Sequence, residues 1–350
     1  MSRTAVAGLL PEELEEQLGL TPRFRAMQIF SWIARGAESF EQMTDLSKDL
    51  RAELSRKAEL RSVTLGQRLT DPDGTLKLQL ALRDGLAIEA VLLTDAAGRK
   101  TACLSCQAGC AMGCAFCMTG TLGLARNLSA AEIVEEFLML EKEAGRLDNI
   151  VFMGMGEPMM NLAAVRRAVS VLCHKKGRGL SARRITLSTC GVVPGIYDLA
   201  DNGPPLRLAV SLTTADTALR QELMPVAKAY PLEELRQAIS YYAEKTGQRA
   251  TLEAALLGGV NTGRQSAERM LAFAEGLNVH INLIPWNPVA SLPFSEPSAA
   301  ECKRFVHWLE QAGLSVSLRT RRGRAIGGAC GQLGRTAQQE VISGPAPSPR

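Results

Sequence analysis

From about residue 99 onward, short apolar runs alternate with helical segments, and this alternation constrains the fold of the 350-residue chain more than any other feature. Such alternation is typical of βα units, in which parallel strands form one sheet. Six repeats fit a complete or partial (β/α) barrel, whose active site collects at the carboxyl ends of the strands. Strands are predicted at 99–106, 149–155, 184–188, 206–212, 250–257, 279–285 and 315–319. Helices are predicted near 130–144, 162–173, 231–245, 264–276 and 298–312.

Two other patterns precede these repeats. Apolar residues at helical spacing, such as Ala26, Ile29 and Ile33, predict helices over residues 1–65. The period changes to 2 around Asp73-Gly74, which predicts a β-hairpin. The resulting division is a helical accessory domain (1–65), a β-hairpin extension (66–98), a barrel with a C-terminal loop (99–335) and a disordered tail (336–350).

Composition limits the compartment and the class of protein. Apolar residues make up 46% of the chain, enough for a buried core, and the net charge of +4 is compatible with a polyanionic partner without requiring one. No window holds the roughly 18 consecutive apolar residues of a membrane helix. The N-terminus lacks the apolar core of a signal peptide. A cytoplasmic protein with no membrane association is therefore expected.

The cysteines are unevenly placed: five of the nine fall between Cys103 and Cys117. Cys110, Cys114 and Cys117 form a C-x3-C-x2-C motif, and three such thiolates can hold three irons of a [4Fe–4S] cluster and leave the fourth open. One alternative is zinc bound by Cys103, Cys106, Cys114 and Cys117, although the inner gap of seven residues is short for zinc. A second alternative is a set of buried structural thiols.

Further motifs occur along the chain in a specific order. They are 28–33, 43–46, Ile88-Glu89, 110–117, Gly123, 126–128, 153–158, 184–194, 282–288 and 329–333. Through these segments the sequence resembles the radical S-adenosylmethionine enzymes and, within them, the RlmN/Cfr family of RNA adenosine methyltransferases. This resemblance implies a partial (β/α)6 radical SAM barrel with an RNA-binding helical accessory domain.

The resemblance also implies a set of cofactor-binding residues. Gly156 and Glu157 are expected to end the second strand and to bind the amino group of S-adenosylmethionine (SAM). Ser188 is expected at the end of the third strand, with a simple turn hydroxyl as the alternative. The family usually has Ser-Leu-His where this chain has Ser211, Leu212 and Thr213, so an imidazole contact is lost. Asn287 is expected to bond a ribose or adenine edge, with an exposed turn residue as the alternative.

The resemblance gives three residues catalytic roles. Cys330 would take a methyl group from a first SAM, and a radical made from a second SAM would abstract hydrogen from the S-methyl group. The resulting carbon radical would add to adenine, and Cys103 would attack the Cys330 sulfur to leave a disulfide bond. Glu89 would be the proton acceptor, with a solvated charge as the alternative. Glycines that flank Cys330 are expected to let the loop approach the cofactor.

The implied activity is methylation of adenosine C2 in 23S rRNA, with tRNA as a further substrate. The alternatives are C8 methylation of the same rRNA adenosine and a non-catalytic, zinc-stabilised RNA-binding protein. An electron donor such as flavodoxin and a monomeric state are also expected. Two basic runs, one over 175–184 and one over 319–324, are expected beside the site as phosphate contacts.

Overall fold

The N-terminal region is mainly helical, as predicted, and Ala26, Ile29 and Ile33 lie buried on one face of a helix. The computed structural model describes residues 3–334, so the predicted tail at 336–350 lies outside the described residues. Two short strands that the sequence analysis did not predict pair in parallel in this region. Its elements are β1 (Thr4–Ala5), α1 (Pro11–Leu18), α2 (Phe24–Ala34), α3 (Lys48–Lys57) and β2 (Ala58–Glu59).

The predicted hairpin is present but belongs to a larger antiparallel extension. A turn at Gly74, with φ of +83°, joins β3 (Thr64–Thr70) to β4 (Leu76–Ala81). A third strand, β5 (Ala87–Thr94), pairs with β4 and then with β6 (Lys100–Cys103). Residues 88–92 are all buried, so β5 does not show the clear alternation that revealed the hairpin.

The strands and α-helices beyond β6 are β7 (Gln107–Cys110), α4 (Met118–Thr121), β8 (Gly123–Asn127), α5 (Ala130–Ala144), β9 (Asn149–Phe152), α6 (Leu162–Cys173), β10 (Ile185–Thr189), α7 (Val193–Asn202), β11 (Arg207–Ser211), α8 (Thr217–Leu223), α9 (Leu232–Thr246), β12 (Ala250–Leu256), α10 (Arg264–Ala274), β13 (Val279–Pro285), α11 (Ala299–Gln311) and β14 (Val316–Leu318). From α5 onward, helices and strands alternate as predicted, whereas β7 and β8 form a separate antiparallel pair that was not predicted. Seven strands run parallel in the order β6, β9, β10, β11, β12, β13, β14, and the extension continues the same sheet beyond β6.

The structure corrects several boundaries. The strands predicted at 99–106 and 149–155 both end early, at Cys103 and Phe152. Beyond these ends, the backbone N–H groups of Cys106 and of Gln107, which begins β7, both donate to the Met155 carbonyl. Helix α7 was missed because Pro194 and Gly195 interrupt its sequence pattern, although proline in a first turn is compatible with a helix. Helix α8, which the sequence analysis also missed, has only seven residues.

The N-terminal domain packs against the flank of the barrel. The backbone N–H groups of Ser62 and Val63 donate to the Glu135 carboxylate in α5, at 2.7 and 2.8 Å. The Phe30 ring in α2 meets His174, just after α6, edge to face with 4.8 Å between centroids. These contacts lie on two neighbouring helices of the barrel. None of the helices within residues 3–334 is long and apolar enough to cross a membrane.

Candidate active site

The three cysteines of the C-x3-C-x2-C motif line one cavity, called here the cysteine cavity, with a volume of about 170 Å³. Cys110 ends β7, Cys114 lies in the following turn and Cys117 immediately precedes α4. Burial raises the pKa of Cys110 to about 12 and also raises that of Cys117. Within residues 3–334, no three His, Cys, Asp or Glu side chains are grouped to hold a single metal ion.

A fourth thiol and a buried guanidinium flank these cysteines. A hydrogen bond from the Cys190 thiol lowers the pKa of Cys114. Arg220 is 1% exposed, and burial lowers its pKa to about 10. Its guanidinium donates to the backbone carbonyls of Ser211, Leu212 and Cys190. Arg220 therefore holds two strand-end loops together and places a positive charge near Cys114.

Gly156 and Glu157 line the cysteine cavity, but they lie in the loop after β9 rather than at the end of the strand. The Glu157 carboxylate accepts hydrogen bonds from the backbone N–H groups of Met159 and Cys190, at 3.0 and 2.8 Å. Burial raises its pKa. One carboxylate oxygen thus binds the loop after β9 and the other binds the loop after β10, so Glu157 connects the two loops. At Gly156, where φ is +103°, a Cβ would lie 2.6 Å from the Gln107 side chain.

Ser188 bonds across the sheet to a carboxylate that no motif indicated. Its Oγ donates to Glu253 Oε2 at 3.1 Å, and Asn282 Nδ2 donates to Glu253 Oε1 at 3.1 Å. Glu253 is 5% exposed and lines the cysteine cavity together with Ser188. Ser188 is therefore more than a turn hydroxyl. An acidic residue inside the apolar run of β12 was the available sequence signal for Glu253.

Thr213 carries backbone strain at the cavity wall. It is the one non-glycine residue with positive φ, 58°, in the described part of the chain. Its N–H donates to the Glu253 carbonyl at 3.0 Å, and its own carbonyl accepts from Asn261 Nδ2 at 2.9 Å. This conformation costs an L-residue about 1–2 kcal/mol, and strain of this kind clusters at functional sites. Ser211 and Thr213 line the cavity, whereas Leu212 is buried behind its wall.

Asn287 offers an unused hydrogen-bond acceptor. It follows β13 and is 3% exposed, so it is not an exposed turn residue. Its Nδ2 donates to the Cys330 carbonyl at 3.2 Å, while its Oδ1 is buried with no hydrogen-bond partner among residues 3–334. An unsatisfied buried acceptor is costly, so a donor such as a ribose hydroxyl fits here. Together with three thiols in one cavity, this oxygen makes the site suitable for an iron–sulfur cluster and SAM.

A second cavity, called here the Arg319 cavity, has a volume of about 300 Å³. Cys330 and Asn287 line both cavities, so Cys330 lies where the two meet. Cys103 and Arg319 line only the Arg319 cavity. Burial raises the pKa of Cys103 to about 12, and the Arg319 guanidinium opposes that rise. Two thiols and a cation therefore share one side of the site, and the three motif cysteines occupy the other.

Comparisons with known proteins identify the family. A model of the radical SAM superfamily matches residues 104–271, and one of the ribosomal RNA large subunit methyltransferase N-terminal domain matches residues 12–60. The "Probable dual-specificity RNA methyltransferase RlmN" of Treponema denticola is 57% identical over 335 residues, 96% of each chain. The Treponema pallidum protein of that name is 55% identical over 333 residues, 95% of this chain and 98% of its own. The chain belongs to the RlmN family.

A solved structure agrees with this assignment. The crystal structure of a radical SAM methyltransferase from Sphaerobacter thermophilus matches with a TM-score of 0.91 and 43% identity, over 95% of this chain and 99% of that one. The predicted α/β radical SAM fold is confirmed, and the chain is a radical SAM RNA methyltransferase. Membership of this family implies a [4Fe–4S] cluster and SAM as cofactors.

The RlmN family motif Ile88-Glu89 lies in β5, where Glu89 is fully buried. The alternative of a solvated charge is therefore wrong. Glu89 Oε1 lies 3.0 Å from Lys77 Nζ, and Oε2 accepts a 2.7 Å hydrogen bond from the Gly334 backbone N–H. The C-terminal loop thus covers this carboxylate.

The two basic runs differ from the prediction. The run at 175–184 precedes β10, so it lies at the amino end of the strands, away from the site. Within it, Arg178 pairs with Glu141 at 2.7 Å. In the second run, Arg321 and Arg324 both pair with Glu296, whereas Arg319 lines the cavity beside Cys330. The second run alone is beside the site.

Two expectations about the cysteines are not supported. The zinc alternative requires Cys103 and Cys106 to join Cys114, but Cys103 lines the other cavity and Cys106 is buried outside both. All nine cysteines, which lie within the described residues, are free thiols, so the structure contains no disulfide between Cys103 and Cys330. These two thiols nevertheless line the same cavity.

Proposed function

We propose that this enzyme methylates C2 of an adenosine in 23S rRNA, and also in tRNA, through an S-methyl group on Cys330. The supporting observation is the position of Cys330 between a cavity suited to SAM and a cavity that holds Cys103 and Arg319. A group carried on the Cys330 sulfur could pass from one cavity to the other. The relatives' names, which print dual specificity, support more than one RNA substrate, and the N-terminal family model supports large-subunit ribosomal RNA as one of them.

On the cofactor side, Cys110, Cys114 and Cys117 would hold the cluster. Gly156, Glu157, Ser188, Ser211, Leu212, Thr213 and Asn287 would form or support the SAM site, two molecules being used per turnover. When bound, cluster and SAM supply a methyl group and a 5′-deoxyadenosyl radical. Asn287 would orient SAM through its unpartnered Oδ1, and the Glu157 and Glu253 carboxylates would hold the cavity walls in place.

On the thiol side, the Cys330 thiolate would form a bond to the methyl carbon as the sulfonium–methyl bond breaks, which releases S-adenosylhomocysteine. Once a hydrogen atom has been removed from the S-methyl group, its carbon would bond to adenine C2; the adduct would return one electron to the cofactor side, and Glu89 would accept the proton from C2. The Cys103 thiolate would then attack the Cys330 sulfur, so that the disulfide bond forms as the sulfur–carbon bond breaks, and the freed carbon would take up a proton to become the methyl group of the product. An electron donor such as flavodoxin would supply the electron that the cofactor side requires, and a dithiol reductant would return the disulfide to two thiols for the next turnover.

On the RNA side, the Arg319 cavity would receive an extruded adenine base. Arg319 has no carboxylate within salt-bridge distance in residues 3–334, so its charge is available to a polar edge of the base or to phosphate. The N-terminal helical domain would bind RNA beyond the target base. We expect the enzyme to work as a monomer.

The test is an anaerobic reaction of the reconstituted protein with SAM, a reductant and either a 23S rRNA fragment or tRNA, followed by mass spectrometry of digested nucleosides. 2-Methyladenosine is the expected product. 8-Methyladenosine would assign the chain to C8 chemistry instead. Methylated Cys330 with unmodified RNA would support the carrier step and reject the RNA substrate, whereas an absence of methyl groups from both would reject the proposal.

A further inference from the structure

Polar contacts bind the loop at 323–334, which carries Cys330, to the antiparallel extension, and they join residues about 250 positions apart in sequence. The turn between β3 and β4 supplies two of them. Asp73 Oδ2 accepts from the Gly323 backbone N–H, and Asp71 Oδ2 accepts from the Ala325 backbone N–H, both at 2.8 Å. Carboxylates that accept from backbone N–H groups make strong, directional hydrogen bonds. The turn thus holds the start of the loop.

Further contacts come from a buried ion pair in β4 and β5. Lys77 is 1% exposed and Glu89 is fully buried, with 3.0 Å between Lys77 Nζ and Glu89 Oε1. Lys77 Nζ also donates to the Gly327 carbonyl at 3.4 Å, and Gly334 donates to Glu89 Oε2 at 2.7 Å. The pair therefore holds the loop on both sides of Cys330.

The fit between loop and extension is close. At Gly323, where φ is +71°, a Cβ would lie 2.8 Å from Thr75 Cγ2, and a Cβ at Gly327 would lie 3.6 Å from Lys77 Nζ. Two of the glycines before Cys330 thus bring the loop close to the extension, whereas the sequence analysis expected such glycines to serve the cofactor. On its other side, the loop is fixed by a 2.8 Å hydrogen bond from the Met118 backbone N–H to the Gly331 carbonyl.

We infer that the antiparallel extension is a cradle that positions the Cys330 loop, and that Lys77 is its central positioning residue. The Lys77 ammonium group contacts both the Glu89 carboxylate, which is assigned as the proton acceptor, and the loop that carries Cys330, the methyl-accepting thiol. The position of the Cys330 loop and proton acceptance by Glu89 therefore both depend on the Lys77 side chain. This role rests on the proposed function of Cys330 and Glu89, but the contacts themselves can be tested without it.

The first experiment compares the full-length wild type with Lys77→Met by hydrogen–deuterium exchange and by the rate of Cys330 alkylation with iodoacetamide. Loss of the charged hydrogen bond to Gly327 should speed exchange over 323–334 and Cys330 alkylation by about tenfold. Exchange in β12 and β13 should not change. The matched control is Lys100→Met, because Lys100 Nζ also donates to a backbone carbonyl, that of Ala144 in α5, rather than to one in the loop.

Two further variants distinguish the loss of loop contacts from the effect of leaving the buried Glu89 charge unpaired. Lys77→Met leaves Glu89 buried without its ammonium, which could loosen the fold generally. Lys77→Met/Glu89→Gln removes both charges and keeps an acceptor for Gly334, so the loop should still exchange faster than in the wild type. Asp73→Asn should release only the start of the loop. In reconstituted enzyme, Lys77→Met should lower the yield of methylated RNA more than methyl loading of Cys330, since Glu89 serves only the later step.

Unchanged exchange and alkylation in both Lys77 variants would overturn the cradle, as would equal effects from Lys100→Met. Neither measurement uses the cluster, SAM or RNA. If the wild type never carries a methyl group on Cys330, the proposed function fails while the exchange data still decide whether Lys77 seats the loop.

Discussion

The two cavities that meet at Cys330 are built in different ways. The cysteine cavity is formed mainly by segments that follow consecutive parallel strands, and family motifs predicted many of its lining residues, including all three motif cysteines. The Arg319 cavity combines β5, β6, the end of the β14 segment and the C-terminal loop. Among its lining residues, Cys103, Asn287 and Cys330 were predicted as parts of the site, and the basic run 319–324 was predicted beside it. Local motifs thus describe the first cavity, and long-range packing creates the second.

This difference matters because the two sides perform different tasks. A cluster and SAM need a fixed set of donors, which a short loop such as 110–117 can present by itself. The carrier thiol must instead face both a methyl donor and a base. Its position depends on the extension and on the loop after β13, where Asn287 holds the Cys330 carbonyl. Changes on the two sides should therefore affect separable steps.

The most severe test of this division is Cys330→Ala. The variant removes the thiol that is assigned to carry the methyl group between the two sides, so RNA methylation should fall by more than about 10³-fold. Mass spectrometry of the protein should show no methyl group on any residue. SAM binding, measured by calorimetry on the reconstituted protein, should stay near the wild-type value. A strong loss of SAM binding would mean that the two sides are not separable.

The second test is Cys103→Ala, which alters only the Arg319 cavity. Methyl loading of Cys330 should persist, and a covalent protein–RNA adduct should accumulate on denaturing gels. Because burial raises the pKa of Cys103 to about 12, the thiolate fraction rises about tenfold per pH unit near neutral pH. The covalent protein–RNA adduct of the wild type should therefore decay about tenfold faster for each pH unit. Normal turnover by Cys103→Ala would reject the resolving role.

A smaller effect is expected from Arg319→Met. The guanidinium lowers the pKa of Cys103, so its removal should reduce the thiolate fraction and slow adduct decay by about tenfold. Arg319→Lys keeps the positive charge and should retain most of the rate. Arg324→Met is the matched control, since Arg324 pairs with Glu296 and does not line the Arg319 cavity. Equal effects of the Arg319 and Arg324 variants would show that general surface charge, rather than this cavity, is responsible.

The smallest expected effect concerns Thr213 at the wall of the cysteine cavity. Thr213 holds φ of 58°, which glycine adopts without strain. Thr213→Gly should therefore be more stable than Thr213→Ala by about 1 kcal/mol, because both variants lose the same contacts and differ mainly in backbone strain. Urea unfolding of the protein measures this difference. If Thr213→Ala were the more stable variant, the strained conformation would not persist in solution.

The sequence predicted some elements and site residues and missed others. The βα order and helices α5 and α6 were predicted with the bounds observed, because long amphipathic patterns are local. Glu89 was named only through the family resemblance, and its burial was not foreseen because its partner Lys77 lies on another strand. Glu253 and Arg220 were missed, since each acts on loops distant in sequence. The basic run at 175–184 was placed at the wrong end of the strands.

The sequence by itself determined the order of strands and helices, the family, and the three cysteines of the C-x3-C-x2-C motif. These properties depend on spacing along the chain, which a helix, a strand or a short loop converts directly into position. Only the tertiary structure decided that Cys330 lies between two cavities and that its loop rests on Asp71, Asp73 and Lys77. These contacts join residues about 250 positions apart, and only the packing of the extension against the C-terminal loop brings them together.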